Sequence, residues 1–205
     1  FWVEATTGSG QHLRGLLKAL AASEAPPDIT LYIPKYTLRG VNPQRAPVRP
    51  RFISTPFDGH NLHLAKLWYE QFALPAAADR DGQDVLHVPY LGAPLLHRVP
   101  VVVTAHDMIP YLLPDYRSTV SVRAYMRLAA WSARRAQQVI AVSSSAAHDA
   151  LRVLKLDSRR LHVVYNAVLD TLAPASLQER ASTAARIGLP ARYFVYLGGF
   201  DRRKN

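Results

Sequence analysis

The sequence has 205 residues, of which 49% are apolar and 20% charged, a composition typical of a globular protein with a sizeable core. It contains no cysteine, which excludes disulfides and thiolate metal sites, and no apolar run of the roughly 18 residues that a membrane span needs. The formal net charge is +10, so anionic partners have to be considered.

Apolar runs of strand type alternate with segments of helical periodicity along the chain. The predicted strands are 1–5, Asp28–Ile33, Arg51–Ser54, Asp84–Val88, Val101–Thr104, Gln138–Val142, Leu161–Val164 and Tyr193–Leu197. Between them, a turn at Gly8–Gly10 leads into a helix with Leu13, Leu16, Leu17 and Leu20 at helical spacing, and further helices are predicted at Leu62–Phe72, 117–136, Ser144–Leu154 and Leu177–Ile187. This alternation predicts an α/β fold with a doubly wound, mostly parallel, Rossmann-like sheet.

The chain is expected to divide near 168–190, where Ala173-Pro174 begins a connector and Gly188-Leu189-Pro190 ends its helix. We therefore expect a Rossmann-like domain over residues 1–170. Residues 171–205 would form a connector and the first strand and loop of a second domain that is otherwise missing.

Candidate site residues follow the predicted strands, where ligands bind in doubly wound sheets. Gly8, Ser9 and Gly10 precede a helix, so their amides and the helix dipole can hold a phosphate, although a lone Gly-x-Gly is more often only a tight turn. Leucine at position 13 replaces the third glycine of the dinucleotide fingerprint, which disfavours an NAD enzyme.

His106 and Asp107 follow the most apolar strand, and Pro110 is expected to delay the next helix. His106 can donate a hydrogen bond to a sugar hydroxyl or stabilise charge, and Asp107 can orient the imidazole or bind an acceptor hydroxyl. The alternatives are that Asp107 caps the turn and His106 packs against a neighbouring strand. Ser143 is a further candidate after the next strand, although it is more economically a helix cap.

No histidines and carboxylates stand at ligand spacing, so no metal site is expected. No serine lies in a Gly-x-Ser-x-Gly elbow, which disfavours a nucleophile triad.

The helix over 117–136 places Arg123, Arg127 and Arg134 on one stripe, with Trp131 at its boundary. A solvated face explains the stripe most simply, and contact with anionic lipid or a lipid-diphosphate acceptor is the alternative. Nucleic acid would also explain the charge, but aromatic residues do not interleave with the basic ones to form a stacking platform.

Four segments together resemble the retaining family 4 glycosyltransferases of the two-Rossmann (GT-B) architecture. They are His106-Asp107-Met108-Ile109-Pro110, Val139-Ile140-Ala141-Val142-Ser143, the strand-then-Asn element 163–168 with Asn166 and Ala167, and the final Gly198-Gly199-Phe200-Asp201-Arg202-Arg203-Lys204-Asn205. The final segment is most similar to a mannosyltransferase-like subgroup that builds bacterial surface polysaccharides. Position 199 is glycine here, where relatives often carry arginine.

This resemblance implies the N-terminal, acceptor-binding domain of an enzyme that moves a sugar from a nucleotide-diphosphate sugar, such as GDP-mannose, to a glycan or lipid-linked acceptor. It places His106 and the Gly8–Gly10 loop near the transferred sugar, and Asn166, Gly198, Gly199, Arg203 and Lys204 with the donor. It implies no metal or other cofactor, and polysaccharide or lipopolysaccharide synthesis at the inner face of the membrane in the cytoplasm. The chain alone is expected to be inactive, and a non-catalytic Rossmann-like binding domain is the main alternative.

Overall fold

The computed structural model describes residues 8–37, 48–168, 172–196 and 198. The chain forms two compact units, Phe1–Ala167 and Val168–Asn205. The strands of the described residues are β1 (Thr30–Pro34), β2 (Arg49–Ile53), β3 (Leu86–Val88), β4 (Val101–Ala105), β5 (Gln138–Ala141) and β6 (Leu161–Val163). The helices are α1 (Gly8–Ala21), α2 (Leu62–Trp68), α3 (Leu74–Arg80), α4 (Ile109–Leu112), α5 (Val120–Arg135), α6 (Ser144–Leu154) and α7 (Leu177–Ile187).

Every strand pairing among the described residues is parallel. β3, β4, β5 and β6 form one sheet in that order, and β1 pairs with β2 in a second, two-stranded sheet. The predicted α/β, Rossmann-like fold is therefore confirmed. The predicted strand at 1–5 lies outside the described residues.

β4 lies at the centre of the core. Val101, Val103 and Ala105 are fully buried, and β-branched side chains suit a strand that is covered on both faces. Because β4 pairs with β3 on one side and β5 on the other, its carboxyl end is held between the ends of two neighbouring strands.

Several predicted helix boundaries are corrected by the structure. The Gly8–Gly10 turn is instead the first turn of α1. The helix predicted to end at Phe72 continues through a π-helical turn, Tyr69–Ala73, into α3. The helix predicted from 117 begins at Val120, where the Thr119 side chain accepts a hydrogen bond from the amide of Val122.

Pro110 does not delay the next helix, contrary to expectation. α4 starts at Ile109, so Pro110 occupies the first helical turn. A proline is tolerated there because the amides of the first turn have no intrahelical acceptor.

The unit Val168–Asn205 contains α7, whose bounds agree with the sequence prediction. Ser176 and Glu179 form a reciprocal capping box at its start, and Gly188 ends it with a φ of 66°. The strand predicted at Tyr193–Leu197 is not formed in its described part, 193–196, because no described strand pairs with that segment, and its apolar side chains are exposed.

Candidate functional site

The candidate site lies at the carboxyl ends of β3 and β4. His106 directly follows β4, and its Nε2 is 3.1 Å from the carbonyl oxygen of Pro89, which follows β3. Because a carbonyl oxygen only accepts hydrogen bonds, Nε2 must carry the proton. The other ring nitrogen, Nδ1, is then the acceptor of the neutral imidazole.

Helix α1 reaches the same place through His12. The rings of His12 and His106 meet edge to face, with centroids 5.0 Å apart. His12 lies one helical turn after Gly8, so this contact brings the N-terminal part of α1 towards the end of β4. Sequence reasoning missed His12, although its spacing from the glycines was visible.

The pKa values of two nearby imidazoles are lowered, which favours their neutral forms. Burial lowers the pKa of His106, and His12 lowers it further. Burial likewise lowers the pKa of His87, whose Nε2 lies 2.8 Å from Oγ1 of Thr104. A neutral His106 with its proton on Nε2 can accept a hydrogen bond from a ligand at Nδ1, instead of donating one as expected from the sequence.

Asp107 has a capping role in the structure. Its side chain is exposed, and its carboxylate accepts a hydrogen bond from the amide of Ile109 at 3.0 Å, at the start of α4. Ser143 is the N-cap of α6, and its hydroxyl accepts a hydrogen bond from the amide of Ala146 at 3.1 Å. Asp107 therefore closes the turn before α4, and Ser143 caps the start of α6.

Two of the remaining predicted binding residues are described, and both are exposed. Asn166 follows β6 and is exposed, and Gly198 is exposed in the other unit. Gly199, Arg203 and Lys204 lie outside the described residues, so the expected donor contacts remain predictions.

A buried polar network borders the β3–β4 connection, and the sequence did not reveal it. The Glu70 carboxylate is fully buried, 2.8 Å from Nζ of Lys66, and accepts hydrogen bonds from the Tyr125 hydroxyl at 3.0 and 3.1 Å. Tyr90, next to Pro89, also hydrogen-bonds to Glu70. Burial raises the pKa of Glu70, and Lys66 opposes that rise.

This network fixes the backbone that holds His106. A Cβ atom at Gly92 would lie 2.4 Å from the Tyr90 ring and 2.7 Å from Oε1 of Glu70, so only glycine fits there without a shift. Gln71, beside Glu70, donates to the carbonyl of Ala93 at 2.9 Å and accepts from the amide of Leu95 at 3.0 Å. The connection from Pro89 to Leu95 is thus attached to the helical segment at several points.

Within the described part of the chain, no three histidine, cysteine or acidic side chains are grouped so that they could hold a metal ion. No described helix combines the length and the apolar character that crossing a bilayer requires.

The arrangement is that of a Rossmann-like domain with polar groups converging beyond its parallel strands, as in the N-terminal half of a GT-B glycosyltransferase. The family model described as Glycosyltransferase Family 4 matches residues 6–170, which is most of the chain. The chain therefore belongs to glycosyltransferase family 4. No curated protein matches it significantly.

Two solved structures of one protein are similar to this chain. Anabaena Alr3699/HepE in complex with UDP has 18% identity and a TM-score of 0.50, covering 71% of this chain and 38% of that one. The same protein in complex with UDP and glucose has 20% identity and a TM-score of 0.48, covering 71% and 39%. The first likeness supports the fold, and this chain spans about two fifths of the length of these structures.

Proposed function

We propose that this chain is the acceptor-binding, N-terminal domain of a retaining glycosyltransferase. The complete enzyme would transfer a sugar from a nucleotide-diphosphate sugar to a glycan or lipid-linked acceptor, in polysaccharide or lipopolysaccharide synthesis. The observation that carries this proposal is the contact between His106, after β4, and His12, in α1. Two segments that are distant in sequence converge there, where parallel α/β sheets bind ligands.

Family membership and the UDP complex of Alr3699/HepE support a nucleotide sugar as the donor. The proposed donor is a hexose nucleotide, with GDP-mannose as the candidate that the final motif suggests. In this proposal Arg203 and Lys204 neutralise the donor diphosphate, and a second domain supplies the rest of the nucleotide pocket.

The proposed roles at the site follow from charge and tautomer. Nδ1 of neutral His106 accepts a hydrogen bond from a sugar hydroxyl and so orients the sugar. The first amides of α1 face the developing negative charge of the leaving diphosphate, with Gly8 and Gly10 allowing close approach. Preorganised donors of this kind act on charge that develops in the transition state.

Sugar transfer by the full-length protein tests the proposal, with GDP-mannose and UDP-glucose as donors. We expect transfer with one donor class, and a fall of about 10²-fold in kcat/KM for His106→Gln. The matched control is His148→Gln, because His148 is exposed on α6. The chain by itself is expected to give no turnover.

Three outcomes would contradict the proposal. Equal activity of His106→Gln and His148→Gln would remove His106 from the site. Absence of both transfer and nucleotide-sugar binding in the full-length protein would favour a non-catalytic binding domain, and salt-dependent retention of nucleic acid on a filter would favour a nucleic-acid module.

We also place the enzyme at the cytoplasmic face of the membrane, in peripheral contact with anionic lipid. The support is the exposure of Arg123, Arg127 and Arg134 on α5. Cationic side chains near an anionic leaflet are attracted to it at physiological ionic strength.

A further inference from the structure

Glu70 is a fully buried carboxylate that the proposed chemistry does not use. Removing its charge from water costs free energy, which the contacts with Lys66 and Tyr125 offset. Apolar side chains of similar volume often stabilise a fold as well as a buried ion pair does, so stability alone does not account for this carboxylate. Its contacts indicate what it holds in place.

The backbone around Glu70 is also unusual. Tyr69–Ala73 is a π-helical turn, a conformation that is rare and that occurs frequently at functional sites. The turn buries two consecutive side chains. The Tyr69 hydroxyl donates to the carbonyl of Tyr32 in β1 at 3.0 Å, and Glu70 accepts from Tyr125 in α5. Tyr69 therefore anchors the turn to β1 while Glu70 meets α5.

One connection runs from Glu70 to the His106 imidazole through the end of β3. Tyr90 hydrogen-bonds to Glu70. The amide nitrogen of Tyr90 and the carbonyl of Pro89 belong to one planar peptide unit, so anchoring Tyr90 orients that carbonyl. The same carbonyl accepts the hydrogen bond from Nε2 of His106 at 3.1 Å. Glu70 thus acts on the group that selects the tautomer of His106.

A second connection reaches His106 along its own chain, because α4 begins three residues after it. The Tyr111 hydroxyl of α4 donates to the carbonyl of Met126 in α5 at 2.9 Å. The residue before Met126 is Tyr125, which donates to Glu70. The chain that follows His106 is therefore held through α5 by the same carboxylate.

We propose that Glu70 is a positioning residue for the reaction of the complete enzyme. Through Tyr90 and Tyr125 it holds the backbone on both sides of the His106 imidazole, so that Nε2 stays bonded to the Pro89 carbonyl and Nδ1 stays the acceptor for the sugar hydroxyl. This inference rests on the proposed function for the role of Nδ1, whereas the hold on His106 is tested without sugar transfer.

Nuclear magnetic resonance of the purified chain tests the hold on His106. The Nε2 proton should exchange slowly with water because it is hydrogen-bonded, and its signal is assigned by its loss in His106→Gln. We expect Glu70→Gln to speed this exchange by about tenfold, since the bond to Pro89 then opens more often. Tyr125→Phe should act in the same direction, and it keeps the ring in place if Glu70→Gln does not fold.

Sugar transfer by the full-length protein measures what this hold contributes to the reaction. We expect Glu70→Gln to lower kcat about tenfold and to leave KM for the donor within about twofold, since a displaced group impairs the transition state more than binding. In the His106→Gln background the same substitution should cause no further loss of kcat, because its effect passes through His106.

Two control variants separate positioning from a general loss of stability. Leu154→Ala leaves a cavity at a fully buried position of α6, a helix that contributes nothing to the buried polar network. It should lower the free energy of unfolding and leave the exchange of the Nε2 proton unchanged. Glu24→Gln removes an exposed carboxylate and should change neither measurement.

Three results would overturn the proposal. The first is unchanged Nε2 exchange in both Glu70→Gln and Tyr125→Phe, and the second is equally faster exchange in Leu154→Ala. The third is a pair of kcat losses that multiply when Glu70→Gln and His106→Gln are combined. A full-length protein that transfers no sugar, in which Glu70→Gln still speeds Nε2 exchange, would contradict the proposed function and leave the hold of Glu70 on His106 standing.

Discussion

Two apolar segments of this chain look alike in sequence and differ in structure. Val101–Ala105 forms the central strand β4, in which Val103 is fully buried. Residues 193–196, predicted as a strand for the same reason, form none, and Val195 is 66% exposed. The difference is the presence of neighbours, because β3 and β5 pair with both edges of β4. An apolar run becomes a strand only where other strands satisfy its backbone.

Truncating one valine in each segment should give the largest contrast. We expect Val103→Ala to lower the free energy of unfolding by about 2–3 kcal/mol, through lost burial and the cavity left behind. Val195→Ala should stay within about 0.5 kcal/mol of the unchanged chain, as exposed substitutions do. Thermal or urea unfolding followed by circular dichroism measures both, and equal losses would show that 193–196 is packed like β4.

Glu70 and Glu24 give a second contrast, between a buried and an exposed carboxylate. Glu70 is buried among hydrogen-bond donors, and Glu24 is exposed after α1. We expect Glu70→Gln to reduce stability at neutral pH by about 1–3 kcal/mol, because the amide nitrogen cannot accept from Lys66 or Tyr125. Glu24→Gln should change it little.

The pH dependence of Glu70→Gln has a definite sign. Burial raises the pKa of Glu70 above 4.5, so the folded chain holds a proton that the unfolded chain has already released. The stability from this group is therefore present below that value and is lost as the pH rises through the folded pKa. As the pH rises through the folded pKa, the melting temperature of Glu70→Gln should therefore fall less than that of Glu24→Gln. An equal dependence of melting temperature on pH in the two variants would contradict the raised pKa of Glu70.

Two serine caps, one in each unit, allow a comparison in which the expected losses of stability are smaller. Ser143→Ala should cost about 1 kcal/mol in the unit that contains α6, since the amide of Ala146 loses its acceptor. Ser176→Ala should cost α7 a similar amount, but no residue of α7 is buried. Its effect should therefore appear as faster amide hydrogen exchange within α7, with little change in the main unfolding transition.

Local signals in the sequence account for much of the fold. The bounds of α6 and of α7 agree with the sequence prediction, in which Ser143 marked the start of α6 and Gly188 the end of α7. The continuation of α2 into α3 was missed, since a π-helical turn follows from packing instead of local propensity.

The candidate site was predicted less completely than the fold. His106 was placed correctly at the end of a strand, because that position follows from the alternation of elements. The Glu70–Tyr125 contact joins residues 55 positions apart, and in sequence Lys66 and Glu70 look like an ordinary surface pair. Contacts of this kind depend on tertiary packing and leave no local signal.

The smallest predicted effect compares the half-buried His106 with the exposed His148. Burial, and secondarily His12, lower the pKa of His106 below 6.5, so on acidification the unfolded chain takes up a proton before the folded chain does. Stability from this group is present above 6.5 and is lost as the pH falls through the folded pKa, opposite in sign to Glu70. As the pH falls from 6.5 through the folded pKa, the melting temperature of His106→Gln should therefore decrease less than that of the exposed control His148→Gln. Equal losses would mean that His106 titrates like an exposed histidine, and its Nδ1 would then not be held as a hydrogen-bond acceptor.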